Sequence, residues 1–182
     1  MKRFLIAAAT LALAGNAAFA ASALKIDTSK SCSFTIKLRP DLAPKHVAQY
    51  TKLAAAGAYD NVVFHRVIDG FMAQTGDVKF GKAGADVSAA GTGNSAEPNI
   101  VAEFTSEHYK RGTVGAARTA DPNSANSQFF VMFNEVSPPG KGLDKQYTVW
   151  GDVDEAGMKC VDQIAKGEPP TNPDKMTKVT VQ

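Results

Sequence analysis

The sequence predicts a mainly β fold, a closed antiparallel barrel with two α-helices over its open ends. Three observations carry this expectation. Short segments of alternating apolar and polar residues recur along the whole chain, the period-2 signature of strands half buried on one face. Only two stretches place apolar residues at helical spacing. No internal repeat, linker or charge block divides the rest, so residues 24–182 read as one domain. Closing the sheet on itself is how such a set of short strands avoids exposed edges.

The elements follow in order. Leu24 to Asp27 and Phe34 to Leu38 alternate around Ser29-Lys30-Ser31, which reads as an antiparallel hairpin. After Arg39-Pro40, Asp41 is placed to cap a helix and Pro44 falls in its first turn, where a missing N–H costs little. Val47, Tyr50, Leu53 and Ala54 form that helix's apolar stripe, and Gly57 stops it. Val62 to Ile68 and Phe71 to Thr75 are strands joined by Asp69-Gly70, a turn in which Gly permits positive φ. Residues 77–99, rich in Gly, Ala, Ser and Asn, form a long loop, and loops of this length are more often functional than idle. Further strands are expected at Ile100 to Phe104, Thr113 to Ala117, Gln128 to Phe133, Tyr147 to Gly151 and Lys178 to Val181. In Gln128 to Phe133, Phe129 faces the core and Phe130 the opposite side. Met158, Val161, Ile164 and Ala165 give the second helix, stopped by Gly167.

Residues 1–20 differ in kind. Lys2-Arg3, the apolar run Phe4 to Ala14 and the small-x-small end Ala18-Phe19-Ala20 have the layout of a secretory signal peptide. Cleavage is expected after Ala20, with Ala23 as a second site, giving an exported, periplasmic chain. The run is too short to span a bilayer, and no membrane contact is expected once it is removed. Residues 1–20 hold Lys2 and Arg3 and no acid, so the 20 basic residues become 18, equal to the 18 acidic ones. A near-neutral chain argues against nucleic acid or an anionic membrane as partner. Cys32 and Cys160 are the only cysteines. An exported chain permits a bridge between them. Cys160 on an apolar helical face and Cys32 near a hairpin turn equally fit two separate thiols.

Several chemistries find no support. Gly91-Thr92-Gly93 lacks the Gly-Lys-Ser/Thr of a phosphate loop. His46, His65 and His108 have no metal-ligand spacing, so no metal and no cofactor are expected. No Gly-x-Ser-x-Gly elbow is present.

What remains is the stretch Phe64-His65-Arg66-Val67-Ile68-Asp69-Gly70-Phe71-Met72-Ala73-Gln74-Thr75-Gly76-Asp77. About a dozen of its positions, in order, resemble the signature of the cyclophilin-type peptidyl-prolyl isomerases. A second block agrees, from Arg111-Gly112-Thr113 through Ala117-Arg118-Thr119 to Ser127-Gln128-Phe129-Phe130-Val131. The resemblance implies a closed eight-stranded antiparallel β-barrel capped by two α-helices, where the patterns alone count seven or eight strands. It implies that Arg66 is the catalytic hydrogen-bond donor and that Phe71, Met72, Phe130 and Leu143 form the pocket for a proline ring. By the same resemblance, Gln74 and Gln128 bond the substrate backbone or hold Arg66. The Ala117-Arg118 segment offers main-chain groups to an extended peptide, Tyr147 takes a rim position often filled by histidine, and the 91–93 loop borders the groove.

Arginine suits a reaction in which no bond is made or broken, since it is always protonated and presents a fork of donors. The expected substrates are proline-containing, unfolded or flexible polypeptides, handled by a monomer. A binding module that keeps the groove but turns over poorly is the alternative from another class, and a pure binder would not need Arg66. Two positions depart from the family pattern. Asp69 stands where proline is frequent. Gly142 stands where many eukaryotic members carry a tryptophan, so weak cyclosporin binding is expected.

Overall fold

The computed structural model describes residues 21–182, and the expected signal peptide, residues 1–20, lies outside them. β1 (Ala23–Thr28) and β2 (Ser33–Leu38) form the expected hairpin, in register from Ala23↔Lys37 to Asp27↔Ser33. Their alternation becomes burial directly: Leu24, Ile26, Phe34, Ile36 and Leu38 face inward. α1 (Pro44–Ala55) buries Val47, Tyr50, Leu53 and Ala54 as its stripe requires, and Gly57 follows it with φ of +68°. Its start corrects the expectation. Asp41 is turned to Arg39, the residue before α1 is Ala43, and the free amides of Lys45 and His46 donate to the Glu103 carboxylate instead. A carboxylate at this end also meets the positive pole of the helix dipole.

Next come β3 (Val62–Val63), β4 (Arg66–Ile68), β5 (Met72–Thr75), β6 (Thr113–Ala116), β7 (Phe129–Met132), β8 (Val149–Val153), α2 (Glu155–Val161) and β9 (Lys175–Val181). The strands form one curled sheet in the order β3-β9-β1-β2-β8-β6-β7-β5-β4. The protein is therefore mainly β with two helices, and the expected eight strands are nine. Against the segments read from the sequence, one strand is gained because 62–68, read as one strand, breaks at Phe64–His65, and one is lost at Ile100 to Phe104. At the break the Phe64 amide still donates to the Asp174 carbonyl in register with β9 and the Val63 amide to the Gly81 carbonyl, whereas pairing with β5 begins only at Arg66. Val63, Phe64 and His65 are all buried, so the period-2 pattern holds only from Arg66 onward.

A second correction concerns Ile100 to Phe104, which makes a single bridge to Ala125 and no strand. Its amides go to side chains: Ala102 donates to Asn123 Oδ1 and Glu103 to Thr148 Oγ1. The second helix ends at Val161, short of the expected Ile164 and Ala165, although Ile164 is still buried. Its N-cap Asp154 accepts from the Gly157 amide at 2.8 Å. The core is centred on Trp150, Tyr50 and Phe129, with Tyr50 and Trp150 ring centroids 4.5 Å apart.

Of the two readings of the cysteines, the bridge is the one found. Cys32 and Cys160 are joined across 128 residues with Cα atoms 5.8 Å apart, tying the β1–β2 turn to α2. The long loop after β5 is organised by Asp77, fully buried, whose carboxylate accepts from the amides of Lys79, Phe80, Gly91 and Gly93.

Candidate functional site

The β4–β5 hairpin turns at Asp69-Gly70, with Gly70 at φ of +70°, and sets Arg66 opposite Gln74. β7 sets Phe130 opposite Gln74, and β6 sets Gly115 opposite Phe130. Arg66, Gln74, Phe130 and Gly115 thus form one row across four neighbouring strands. Partners in such a row stand on the same face, so three distant stretches of sequence meet on one surface. Glycine is needed at 115, because a Cβ there would overlap the Phe130 ring and the Tyr109 hydroxyl.

On the same face as this row lies a second apolar cluster, separate from the core, of Met72, Tyr109, Phe130, Met132 and Val149. Tyr109 stacks under Phe130 at 5.8 Å, and Tyr147 meets Phe130 edge-on at 5.8 Å. Above it opens a cavity of about 250 Å³, lined by Arg66, Phe71, Met72, Gln74, Ala117, Arg118, Phe130, Leu143 and Tyr147. These are nine of the ten residues singled out from the sequence. The tenth, Gln128, sits just behind, buried. Its Oε1 accepts from Gln74 Nε2 at 3.0 Å, and its Nε2 donates to the carbonyls of Gly91 and Gly93. Gln128 thereby ties the 91–93 loop to the floor of the site.

The rim is held by named bonds. The Arg118 guanidinium lies 4.3 Å over the Tyr147 ring and donates to the carbonyls of Gln146 and Thr119. Leu143 is carried by a loop fixed at Asp144, whose carboxylate accepts from the Tyr109 and Gly140 amides and from His108 Nδ1. Asp144 and Glu135 hold the His108 pKa above its ordinary value, in that order of effect. For Asp144 burial pushes the pKa up, but the amide and imidazole bonds outweigh it and the net shift is down. His65, buried beside Gly91, is pushed the other way, toward the neutral ring.

Of the two roles expected for Gln74, a bond that holds Arg66 is not the one seen. No bond joins Arg66 to Gln74; the Arg66 Nε donates to Glu168 Oε2 at 2.8 Å. Glu168 follows Gly167, far along the chain, and no local pattern points to it. Tyr109, Gly115 and Asp77 are also absent from the sequence-derived site. Asp77 closes the signature, but only the fold shows the four amides it collects. Among the described residues no group of three His, Cys, Asp or Glu is placed to hold a metal ion.

The curled sheet with this cavity on its face is the cyclophilin fold. The family model "Cyclophilin type peptidyl-prolyl cis-trans isomerase/CLD" matches residues 23–181. A probable peptidyl-prolyl cis-trans isomerase of Brucella suis biovar 1 (strain 1330) is 50% identical over 190 residues, covering 98% of this chain and 94% of the relative. The peptidyl-prolyl cis-trans isomerase-like 1 of Aspergillus oryzae is 35% identical over 145 residues, covering 79% of this chain and 82% of its own. Among solved structures, cyclophilin AquaCyp293 from Hirschia baltica superposes with a TM-score of 0.71 at 28% identity, covering 87% of this chain and 73% of that one. A Cryptosporidium parvum cyclophilin shares the fold at a TM-score of 0.72 and 22% identity, covering 88% and 98%. The chain belongs to the cyclophilin-type peptidyl-prolyl cis-trans isomerase family, and its activity is that of an isomerase of X-Pro bonds.

Proposed function

We propose that this isomerase seats a proline ring of an unfolded or flexible polypeptide among Phe71, Met72, Phe130 and Leu143, and aims Arg66 at the imide nitrogen. The observation that carries this reading is the single row placing Arg66, Gln74 and Phe130 side by side at one cavity. The Cryptosporidium parvum cyclophilin was crystallised in the presence of the dipeptide Ala-Pro, which supports a proline-containing substrate.

The chemistry is rotation alone. Cis and trans X-Pro differ by only about 1 kcal/mol, while the barrier between them is ~18–20 kcal/mol. A turnover of ~10³ s⁻¹ corresponds to a barrier of roughly 13 kcal/mol, so the site must supply on the order of 5–7 kcal/mol. At the twisted transition state the amide loses resonance, its nitrogen regains a lone pair, and charge separation falls. An apolar cavity then favours the twisted over the planar form, and a donor directed at the nitrogen favours it further. No nucleophile or general base takes part. The chain's continuity from β3 to β4, the two edges of the sheet, supports reading the scaffold as a barrel closed by its own backbone. We read the working form as a monomer.

A protease-coupled assay on a proline peptide tests this reading, with turnover well above the uncatalysed rate expected. Binding of the peptide without turnover would leave only a peptide-binding module. The same assay measures cyclosporin. Gly142 has φ of +64°, and a Cβ there would overlap the Ser137 side chain. No indole therefore fills the place from which many relatives offer an apolar face and an N–H donor. Inhibition weaker by roughly 30- to 150-fold, about 2–3 kcal/mol, is expected at normal activity. Nanomolar inhibition would show that another side chain fills the gap.

Export to the periplasm is part of the same reading, supported by a disulfide, which persists in oxidising compartments. Cleavage after Ala20 keeps Ser22, whose amide donates to Gln182 and whose carbonyl accepts from Leu38. Cleavage after Ala23 would remove both bonds, which favours the first site. N-terminal sequencing of exported material should read Ala21 first; intact Met1 in the cytosol would contradict export.

A further inference from the structure

Glu168 is not part of the proline cavity, yet it bonds the residue on which the proposed chemistry turns. Its Oε2 accepts from Arg66 Nε at 2.8 Å. The segment carrying it is docked on β4 itself: Val67 N donates to Gly167 O and Gly167 N to Val67 O, both at 2.8 Å. That pair is the neighbour of Arg66 along the strand, so the ladder fixes Glu168 beside the arginine. Gly167 sits at φ of +146°, where a Cβ would press on Pro169 and Pro170, so the turn into Glu168 has little freedom. From the other side, Ala165 N donates to the Asp174 carboxylate at 2.9 Å.

Arg66 and Gln74 form the wall between two cavities. The first is the proline cavity. The second, of about 330 Å³, is lined by both of them together with His65, Thr92, Glu168 and Pro169. Glu168 therefore approaches Arg66 from the side away from Phe130 and Leu143. It engages Nε only, and the two Nη groups have no protein acceptor among the described residues. A guanidinium held by Nε loses much of the rotamer freedom of a half-exposed arginine, while its fork stays available to substrate.

We propose that Glu168 is the positioning residue for Arg66, fixing the guanidinium in the pose from which it meets the imide nitrogen; this rests on the reading of Arg66 as the donor. Glu168 lines the second cavity and not the proline cavity, so it acts on turnover and not on the filling of the pocket. An amide at 168 still accepts from Nε and recovers part of the effect, whereas alanine does not.

The experiment is a double-mutant cycle in the protease-coupled assay, with Arg66→Ala, Glu168→Ala, both together, and Glu168→Gln, each beside its thermal midpoint. Glu168→Ala is expected to lower kcat by about 3- to 10-fold with KM within about twofold. Its midpoint should stay near that of the parent, and Glu168→Gln should fall between the two. In the Arg66→Ala background, Glu168→Ala should change nothing further, because the group it positions is gone. Wild-type kcat in Glu168→Ala, a rise in KM alone, or losses that multiply in the double variant would each overturn the assignment of Glu168. Wild-type kcat in Arg66→Ala would instead overturn the reading of Arg66, so the two failures are told apart.

Discussion

Breaking the Cys32–Cys160 bridge, by reduction or by Cys32→Ala with Cys160→Ala, should lower the stability of the chain by about 3–5 kcal/mol. The bridge closes 128 residues, most of the described chain. In the chain-entropy account, a loop of that length restricts the unfolded ensemble by nearly 5 kcal/mol, an upper figure. What it ties down explains why the native state also depends on it. α2 has seven residues, too few to persist alone. Its buried face of Met158, Cys160 and Val161 is held against the core partly by that sulfur link. Neither cysteine lines the cavity, so turnover of the folded fraction should be little altered. Urea unfolding with and without reductant reads the effect as a lower midpoint, with a steeper slope because the unbridged unfolded chain exposes more surface. An unchanged midpoint would mean that the two thiols contribute nothing as a bridge.

Much of the fold is legible in the sequence wherever one face of a strand meets the core and the other meets water. β1 and β2 alternate for that reason, and the apolar stripe of α1 is read at its true spacing. The misses arise where tertiary contacts override the local pattern. Asp41 looks like a cap but is held by Arg39, while Glu103 crosses over to bond the first turn of α1. Ile100 to Phe104 has strand composition, but its amides find Asn123 and Thr148 side chains before any strand. The strand over 62–68 breaks where Val63 to His65 are covered on both faces, and full burial erases alternation.

The site is legible to the extent that it is local. Arg66, Phe71, Met72 and Gln74 lie within one hairpin, and Ala117, Arg118, Gln128 and Phe130 within one short block, so the motif carries them together. Their meeting at one cavity depends on the register of β5, β6 and β7, which only the sheet supplies. Glu168 lies 102 residues from Arg66 and is followed by Pro169-Pro170, which reads as an ordinary turn. Gln74, expected to bond the substrate backbone or to hold Arg66, is bonded to Gln128. Two amides can satisfy each other, whereas the cation finds the nearby carboxylate.

Arg66→Ala should lower turnover by roughly 10- to 150-fold. The group lost is a charge-assisted donor worth ~1.5–3 kcal/mol at a partly desolvated site. The loss is larger if water enters the space vacated beside Phe130. Arg66→Lys should recover only part, because one ammonium cannot both keep the bond to Glu168 and present a forked donor to the substrate. Stability should hardly change in either variant. The side chain is 43% exposed and its one ion pair is a surface pair, worth about 0–1 kcal/mol. Phe130→Ala should act differently, weakening binding of the proline peptide by emptying the pocket floor and removing a partner of both Tyr109 and Tyr147. The most direct test is turnover of Arg66→Ala on a proline peptide, measured beside its thermal midpoint. A turnover lowered by at least about tenfold at an unchanged midpoint is the expected result; full activity, or activity lost only through unfolding, would contradict the assignment of Arg66 as the catalytic donor.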